Sequence, residues 1–284
     1  MIPFDTTKPL LVFGGPYSNL EATEALRRRA DALAIPPSNV ICTGDVVAYC
    51  AAPEETARLV ADWGCHVIQG NCEQQLAVAA EDCACNFEEG TECAALAKGW
   101  YPYANARMSS EMRTWMGALP ETLEFDYGGR SFRVVHGGTE IVNRWVFQSE
   151  RDVLAEETAR AGADVVIAGH SGMPFAARVD GSIWFNPGVI GMPANDGTAE
   201  VWYGLIRAIG GELLLSTHRL AYDHHAAAAA MRRSGHANGY ARTLITGLWP
   251  SLDILPPAER EATGQRIRQR TVRLGATTRP RELA

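Results

Sequence analysis

The chain has 284 residues, 46% of them hydrophobic, and a formal net charge of −7. That balance argues against extended nucleic acid as a partner, since it is gripped through its phosphates by a basic face. A small anion met through a metal ion stays open. No apolar run approaches the ~20 residues needed to cross a bilayer, and the opening MIPFDTTKPLL has no basic stretch leading into an apolar one. The sequence therefore predicts a cytoplasmic protein without membrane contact.

The first half alternates short strands with helices, the pattern of an α/β sheet with parallel strands. Leu10–Phe13 is an apolar run ended by Gly14-Gly15. Leu20, Ala22, Thr23, Leu26, Ala30 and Leu33 share one face of a helix that Ser18 or Asn19 caps. Pro36-Pro37 breaks it, Val40–Thr43 is the second strand, and Pro53 opens a helix to about Trp63. His66–Gln69 is the third strand, closed by Gly70-Asn71. From about 73 to 119 an irregular helical insert carries a cluster of cysteines. Gly128-Gly129 joins Leu123–Tyr127 to Ser131–Val135 as a hairpin. A helix near Arg151–Ala161 precedes the strand Val165–Ala168. Phe175–Val179 with Ser182–Phe185, and Val201–Ile206 with Glu212–His218, read as further hairpins.

Residues 1–222 thus read as one α/β domain, and residues 223–284 as a C-terminal helical appendage. In the appendage, His224-His225, an alanine run and two arginines predict a solvated helix, and Arg242–Leu248 a second. The stretch from Glu259 onward, rich in Arg, Thr and Gly, predicts a partly disordered tail.

Four predicted strand ends place a ligand-capable residue beside glycine: Gly44-Asp45, Gly70-Asn71, His136-Gly137 and Gly169-His170. Sites in open α/β sheets gather beyond the carboxyl ends of strands. Asp, Asn and two His make a mixed oxygen and nitrogen set suited to a first-row divalent ion. Each residue alone is commonly a turn or cap; the repeated placement is what points to a site.

In order and local context these segments resemble the calcineurin-like metallophosphoesterases, in particular the small bacterial phosphodiesterase and dinucleoside-tetraphosphatase-like branch. The resemblance runs over roughly residues 10–208. It rests on Gly14-Gly15-Pro16-Tyr17-Ser18-Asn19, Gly44-Asp45, Gly70-Asn71-Cys72-Glu73, Val134-Val135-His136-Gly137-Gly138, Gly169-His170-Ser171-Gly172 and Asn186-Pro187-Gly188. It implies an α/β, four-layer sandwich of two mixed β-sheets flanked by helices. It also implies that Asp45, Asn71, His136 and His170 hold one metal. The family's other metal takes private ligands at positions that are here Gly15, Tyr17 and Gly172. Glycine offers no side chain and a neutral tyrosine replaces imidazole poorly, so the expectation is a single divalent transition ion, Mn, Fe, Zn or Ni. The alternative is a retired site whose four residues only bond one another.

Cys72 stands where the family places a histidine implicated in proton donation. Near a metal it would become a thiolate ligand or nucleophile; otherwise it is a small residue under a loop. Glu73 matches the family's next acidic residue, orienting a neighbour or capping the following helix. Seven cysteines cannot all pair within one chain. Cys72, Cys83, Cys85 and Cys93 are enough thiols for a second metal or cluster site, though the spacing fits no common zinc pattern. Separate reduced thiols, or a local disulfide such as Cys83 with Cys93, are the other readings.

On the substrate side, Gly14-Gly15 would open space where the missing metal sat. Tyr17, Asn19 and Arg144 are candidates for substrate hydrogen bonds or positive charge, and Asn186-Pro187-Gly188 for the rear wall. The sequence thus points to a metal-dependent phosphoester hydrolase acting on a small phosphorylated molecule or nucleotide. Its rivals are a non-catalytic nucleotide or phospho-ligand binder and a cysteine-based metal or redox sensor.

Overall fold

A computed structural model describes residues 3–85, 87–236 and 238–275. The chain begins as strand β1 (Leu10–Phe13), helix α1 (Leu20–Ala32), β2 (Val40–Cys42), α2 (Pro53–Trp63) and β3 (His66–Val67). Three helices follow, α3 (Asn71–Ala77), α4 (Glu92–Asn105) and α5 (Ser110–Ala118). Then come the hairpin β4 (Leu123–Tyr127) and β5 (Arg130–Val134), α6 (Arg151–Ala161), β6 (Val165–Ile167), β7 (Phe175–Val179) and β8 (Ser182–Asn186). The chain continues through β9 (Val201–Ile209), β10 (Glu212–Leu220), α7 (His224–Ser234), α8 (Asn238–Thr246), α9 (Pro257–Glu261) and β11 (Thr271–Leu274).

Local chemistry sets these boundaries. The Asn19 side chain accepts the Ala22 amide and caps α1. Pro53 sits in the first turn of α2, where its missing N–H costs nothing. Gly128 and Gly129 both have positive φ, as a two-residue hairpin loop demands.

One sheet has six strands in the order β11-β10-β9-β1-β2-β3, the other five in the order β4-β5-β6-β8-β7. Both are mixed. β1, β2 and β3 run parallel while β9 meets β1 antiparallel, and β5, β6 and β8 run parallel between antiparallel outer strands. Strand alternation then divides the core. Leu10 and Val12 face the second sheet, where Phe125, Phe132, Ile183 and Phe185 meet them. Leu11 and Phe13 face the opposite way, into the helices. Beyond the second sheet, Val166 and Trp184 pack with Leu154 and Ala161 of α6. The result is the expected sandwich, with helices outside both sheets.

The C-terminal helices pack onto this core. α7 packs against α1, and its Ala227, Ala228 and Met231 join Tyr240, Ala241 and Leu244 of α8 in the main helical layer. An alanine run reads as solvated because alanine carries little apolar signal, yet its small side chain is what permits close helix contact. β11 closes the six-stranded sheet, pairing Ser216 with Thr271 and Leu213 with Leu274. The expected tail is thus built into α9 and an edge strand as far as residue 275, and the remainder of that expectation lies outside the described residues. The insert at 73–119 also belongs to the core, through Trp100, Tyr101, Met112 and Met116. Among the described residues no helix is long and apolar enough to cross a membrane.

Candidate metal centre

The ends of β2, β3, β5 and β6 converge because the loops after them are tight. A Cβ on Gly44, whose φ is +91°, would lie 2.5 Å from the Gly70 amide nitrogen and 3.0 Å from His136 Nδ1. A Cβ on Gly70 would run into Asp45 Oδ1. Glycine at both positions lets the two loops touch and brings Asp45 against His136.

Asp45 Oδ2 lies 3.2 Å from His136 Nε2 and 4.0 Å from His170 Nδ1, and the two histidine nitrogens are 3.0 Å apart. All three side chains are buried. His136 Nδ1 sits 2.6 Å from the Thr43 carbonyl, to which it donates, so Nε2 is the nitrogen turned to the cluster. A metal-ligating histidine usually donates its other ring nitrogen in this way. Burial opposes the Asp45 carboxylate, but His136 beside it prevails and holds its pKa at about 2. Burial opposes the charge on His136 too, and Asp45 overcomes it and raises the pKa. Burial, then the charge on His136, holds His170 at about 3. The three side chains by themselves therefore make one carboxylate, one neutral imidazole and one imidazole that readily carries a proton.

Asn71 stands beside this triad, between Gly70 and Cys72, whose amide donates to Asp45 Oδ1 at 3.2 Å. Its Nδ2 donates to the Cys83 carbonyl at 2.9 Å, while its Oδ1 is buried with no hydrogen-bond partner. A buried amide oxygen left unpaired is costly in a protein interior, and a cation is the partner that would satisfy it. Two imidazoles, a carboxylate and an amide oxygen form a donor set that fits a divalent first-row ion.

Glu73 works on the backbone. Its Oε2 accepts the amides of Asp45 at 2.7 Å and Gly70 at 2.9 Å, and Oε1 that of Val46 at 2.8 Å. Burial and then the Asp45 carboxylate push its pKa up to about 7. Through these bonds it positions the Asp45 loop. Cys72 is buried, and burial with the charges of Asp45 and Glu73 pushes its thiol well up. With these neighbours and no cation beside it, Cys72 is a neutral thiol.

Two substrate-side candidates, Asn19 and Arg144, are engaged elsewhere, while Tyr17 lines the pocket that His170 enters. Asn19 caps α1 and donates to Gly191 O at 3.0 Å and the Tyr222 hydroxyl at 3.2 Å, which makes it a tether of the fold. Arg144 pairs with Glu157 at 2.7 Å and Glu156 at 2.8 Å, so its charge is spent on α6. The space expected at Gly14-Gly15 is filled. A Cβ on Gly15 would lie 2.5 to 2.8 Å from three atoms of the Tyr17 ring, and one on Gly172 3.8 Å from the Tyr17 hydroxyl. The three substituted positions thus form one packing unit. Asn186 donates to Gly169 O at 2.8 Å and Ser171 Oγ at 3.0 Å, bracing the loop that carries His170.

The four cysteines do not form one site: Cys72, Cys83 and Cys85 gather around Asn71, and Cys93 lies apart. Cys83 forms a disulfide with Cys85, not with Cys93, while Cys72 and Cys93 are free. Cys72 packs at Asp45, whereas Cys93 meets Ser251 and Ile254. Among the described residues, the one group of His, Cys, Asp or Glu side chains that could hold an ion is Asp45, His136 and His170, its ligand atoms within 4.8 Å of one another. Sequence reading missed the wall beside it. Trp145 lies over His170 at 4.0 Å between ring centroids, and Tyr240 and Trp249 arrive from the C-terminal region. They lie in no motif and meet only through the tertiary fold.

Residues 18–207 match the model of the calcineurin-like phosphoesterase superfamily domain, and the chain belongs to that family. It is similar to an uncharacterized protein of Methanocaldococcus jannaschii, 24% identical over 181 residues, which are 64% of this chain and 69% of that one. Its fold is similar to a crystal structure of a metallophosphoesterase from Sphaerobacter thermophilus, with a TM-score of 0.69 at 20% identity over 85% of this chain and 99% of that one. It is similar also to a hypothetical protein from Pyrococcus horikoshii OT3, with a TM-score of 0.72 at 16% identity and the same coverage. The family is one of phosphoester hydrolases that use divalent metals.

Proposed function

We propose that the chain hydrolyses a phosphoester of a small phosphorylated molecule or nucleotide, with one divalent ion held by Asp45, Asn71, His136 and His170. The observation that carries this reading is the buried Asp–His–His triad, whose ligand atoms lie within 4.8 Å of one another, with the buried, unpaired Oδ1 of Asn71 on the loop whose next amide, that of Cys72, meets Asp45. When bound, the ion supplies Lewis acidity toward a phosphoryl oxygen. The chain does the positioning. Thr43 O orients His136, Glu73 fixes the loop that presents Asp45, and Asn186 braces the His170 loop. Tyr17, packed between Gly15 and Gly172, takes the space of the family's other metal.

Metal analysis of purified protein, with titration of Mn, Fe, Zn and Ni into chelated samples, tests the site. The expected stoichiometry is one ion per chain, lost in His170→Ala. A phosphomonoester and phosphodiester panel tests the reaction, and His170→Ala with full activity would overturn it. The filled second position favours one rival, a phospho-ligand binder without turnover. Binding of nucleotides with no hydrolysis under any of these metals would select it.

A further inference from the structure

Beside the triad lies a small pocket, about 60 Å³ counted as the space open to the centre of a water-sized molecule. His170 belongs to both. Small-molecule sites are mostly apolar and aromatic, with few polar groups, and the walls here follow that pattern. Trp145 covers His170, while Tyr17, Tyr49 and Tyr240 form a chain of ring contacts with centroids 4.8 and 4.6 Å apart. Trp249, fixed by its indole N–H donating to Pro193 O at 2.6 Å, closes the rim. Among the described residues no Lys, Arg, Asp or Glu lines this space. A second phosphate entering it would be stripped of water without a cation to meet it, which is strongly unfavourable. A flat, uncharged ring would exchange water for ring faces and edges.

We propose that this pocket receives the alcohol portion of the substrate, and that this portion is a planar, uncharged aromatic group, either a nucleobase-bearing nucleoside or a simple aryl group, on a single phosphoryl group. This rests on the phosphoesterase reading above. Hydrolysis adds water across the P–O ester bond and releases the aromatic alcohol and phosphate. The pocket thus selects by the group that leaves, while the triad handles the phosphoryl end.

The test compares four monoesters of equal charge type on the metal-loaded protein: phenyl phosphate, adenosine 5′-monophosphate, ribose 5-phosphate and glycerol phosphate. kcat/KM is measured for each, and binding is followed separately by quenching of the fluorescence of Trp145 and Trp249. The aromatic pair is expected to lead the aliphatic pair by about tenfold or more, the scale of one good ring-on-ring contact. The ranking of phenyl phosphate against adenosine 5′-monophosphate tells the two aromatic sources apart. Trp249→Leu is expected to erase most of that lead, and Tyr240→Phe, which keeps the ring, to retain it; thermal unfolding of each variant checks that it folds. Aromatic preference in binding without turnover would sink the hydrolase reading, and with it the leaving-group role, while keeping the pocket as a site for a planar, uncharged aromatic group. Equal treatment of aromatic and aliphatic esters in both measurements, or an equal loss for both in Trp249→Leu, would overturn it.

Discussion

Asn71 donates its side-chain amide to the Cys83 carbonyl at 2.9 Å, and the oxygen of the same amide is buried without a partner. A metal-ligand candidate is thereby oriented from behind by the loop that the Cys83–Cys85 disulfide closes. The sulfurs of Cys85 and Cys72 flank the same Nδ2 at 3.5 and 3.7 Å. Loss of a partner that orients a metal ligand typically lowers metal affinity by about 10–100-fold. Cys83→Ser with Cys85→Ser, or reduction of the native protein, is expected to weaken divalent-metal binding by roughly tenfold, read by isothermal titration. Unchanged affinity in both would show that Asn71 is held without the loop.

Glu73 offers a second test of positioning. Its two carboxylate oxygens accept three backbone amides, those of Asp45, Val46 and Gly70. In Glu73→Gln one oxygen becomes an NH2 group that faces an N–H donor. A buried donor left without an acceptor costs about 1–3 kcal/mol, so the unfolding temperature is expected to fall. Metal affinity should fall with it, because the Asp45 loop loses its anchor. A stability loss with unaltered metal binding would separate the two roles.

The metal triad is legible in the sequence because each member is announced locally. Asp45, His136 and His170 each follow or precede a glycine at the end of a short apolar run, and strand ends are where an α/β fold gathers its chemistry. Arg144 shows the limit of that reading. Its charge is cancelled by Glu156 and Glu157, a dozen residues on, and only the packing of α6 under the His136 loop brings them together. Tyr17 stands in a motif, but the rest of the aromatic wall is hidden for the same reason, since Trp145, Tyr240 and Trp249 come from segments distant from it. β11 escapes a sequence reading because its four residues, Thr-Val-Arg-Leu, lie in an arginine-rich stretch and gain their meaning from the edge of β10.

His218 gives a pH dependence away from the metal centre. Burial, then the charges of Arg207 and Arg29, lowers its pKa from the ordinary value near 6.5. The folded state therefore resists the proton that the unfolded state accepts. As pH falls below about 6.5 the unfolded chain takes up that proton first, and stability is lost until pH reaches the lowered folded value. His218→Gln removes this contribution. Melting temperatures of the two proteins, compared from about pH 7.5 down to about pH 5, should converge or cross as pH falls, the native histidine losing more. Parallel curves would place His218 in a more exposed setting than its ring contact with Tyr203 describes.

Met231 decides whether the C-terminal helices are an appendage or part of the core. It is fully buried on α7, in the same apolar cluster as Leu26 and Ala30 of α1, while its neighbour Arg232 is exposed. Truncating a buried methionine to alanine typically costs about 2–5 kcal/mol through lost transfer energy and the cavity left behind. An exposed surface substitution usually stays within about 0.5 kcal/mol. Met231→Ala is therefore expected to lower the denaturant midpoint of the whole protein in one cooperative transition, with Arg232→Ala nearly silent. A separate early transition in Met231→Ala, leaving the main unfolding step in place, would instead mean that α7 and α8 fold and unfold apart from the two sheets.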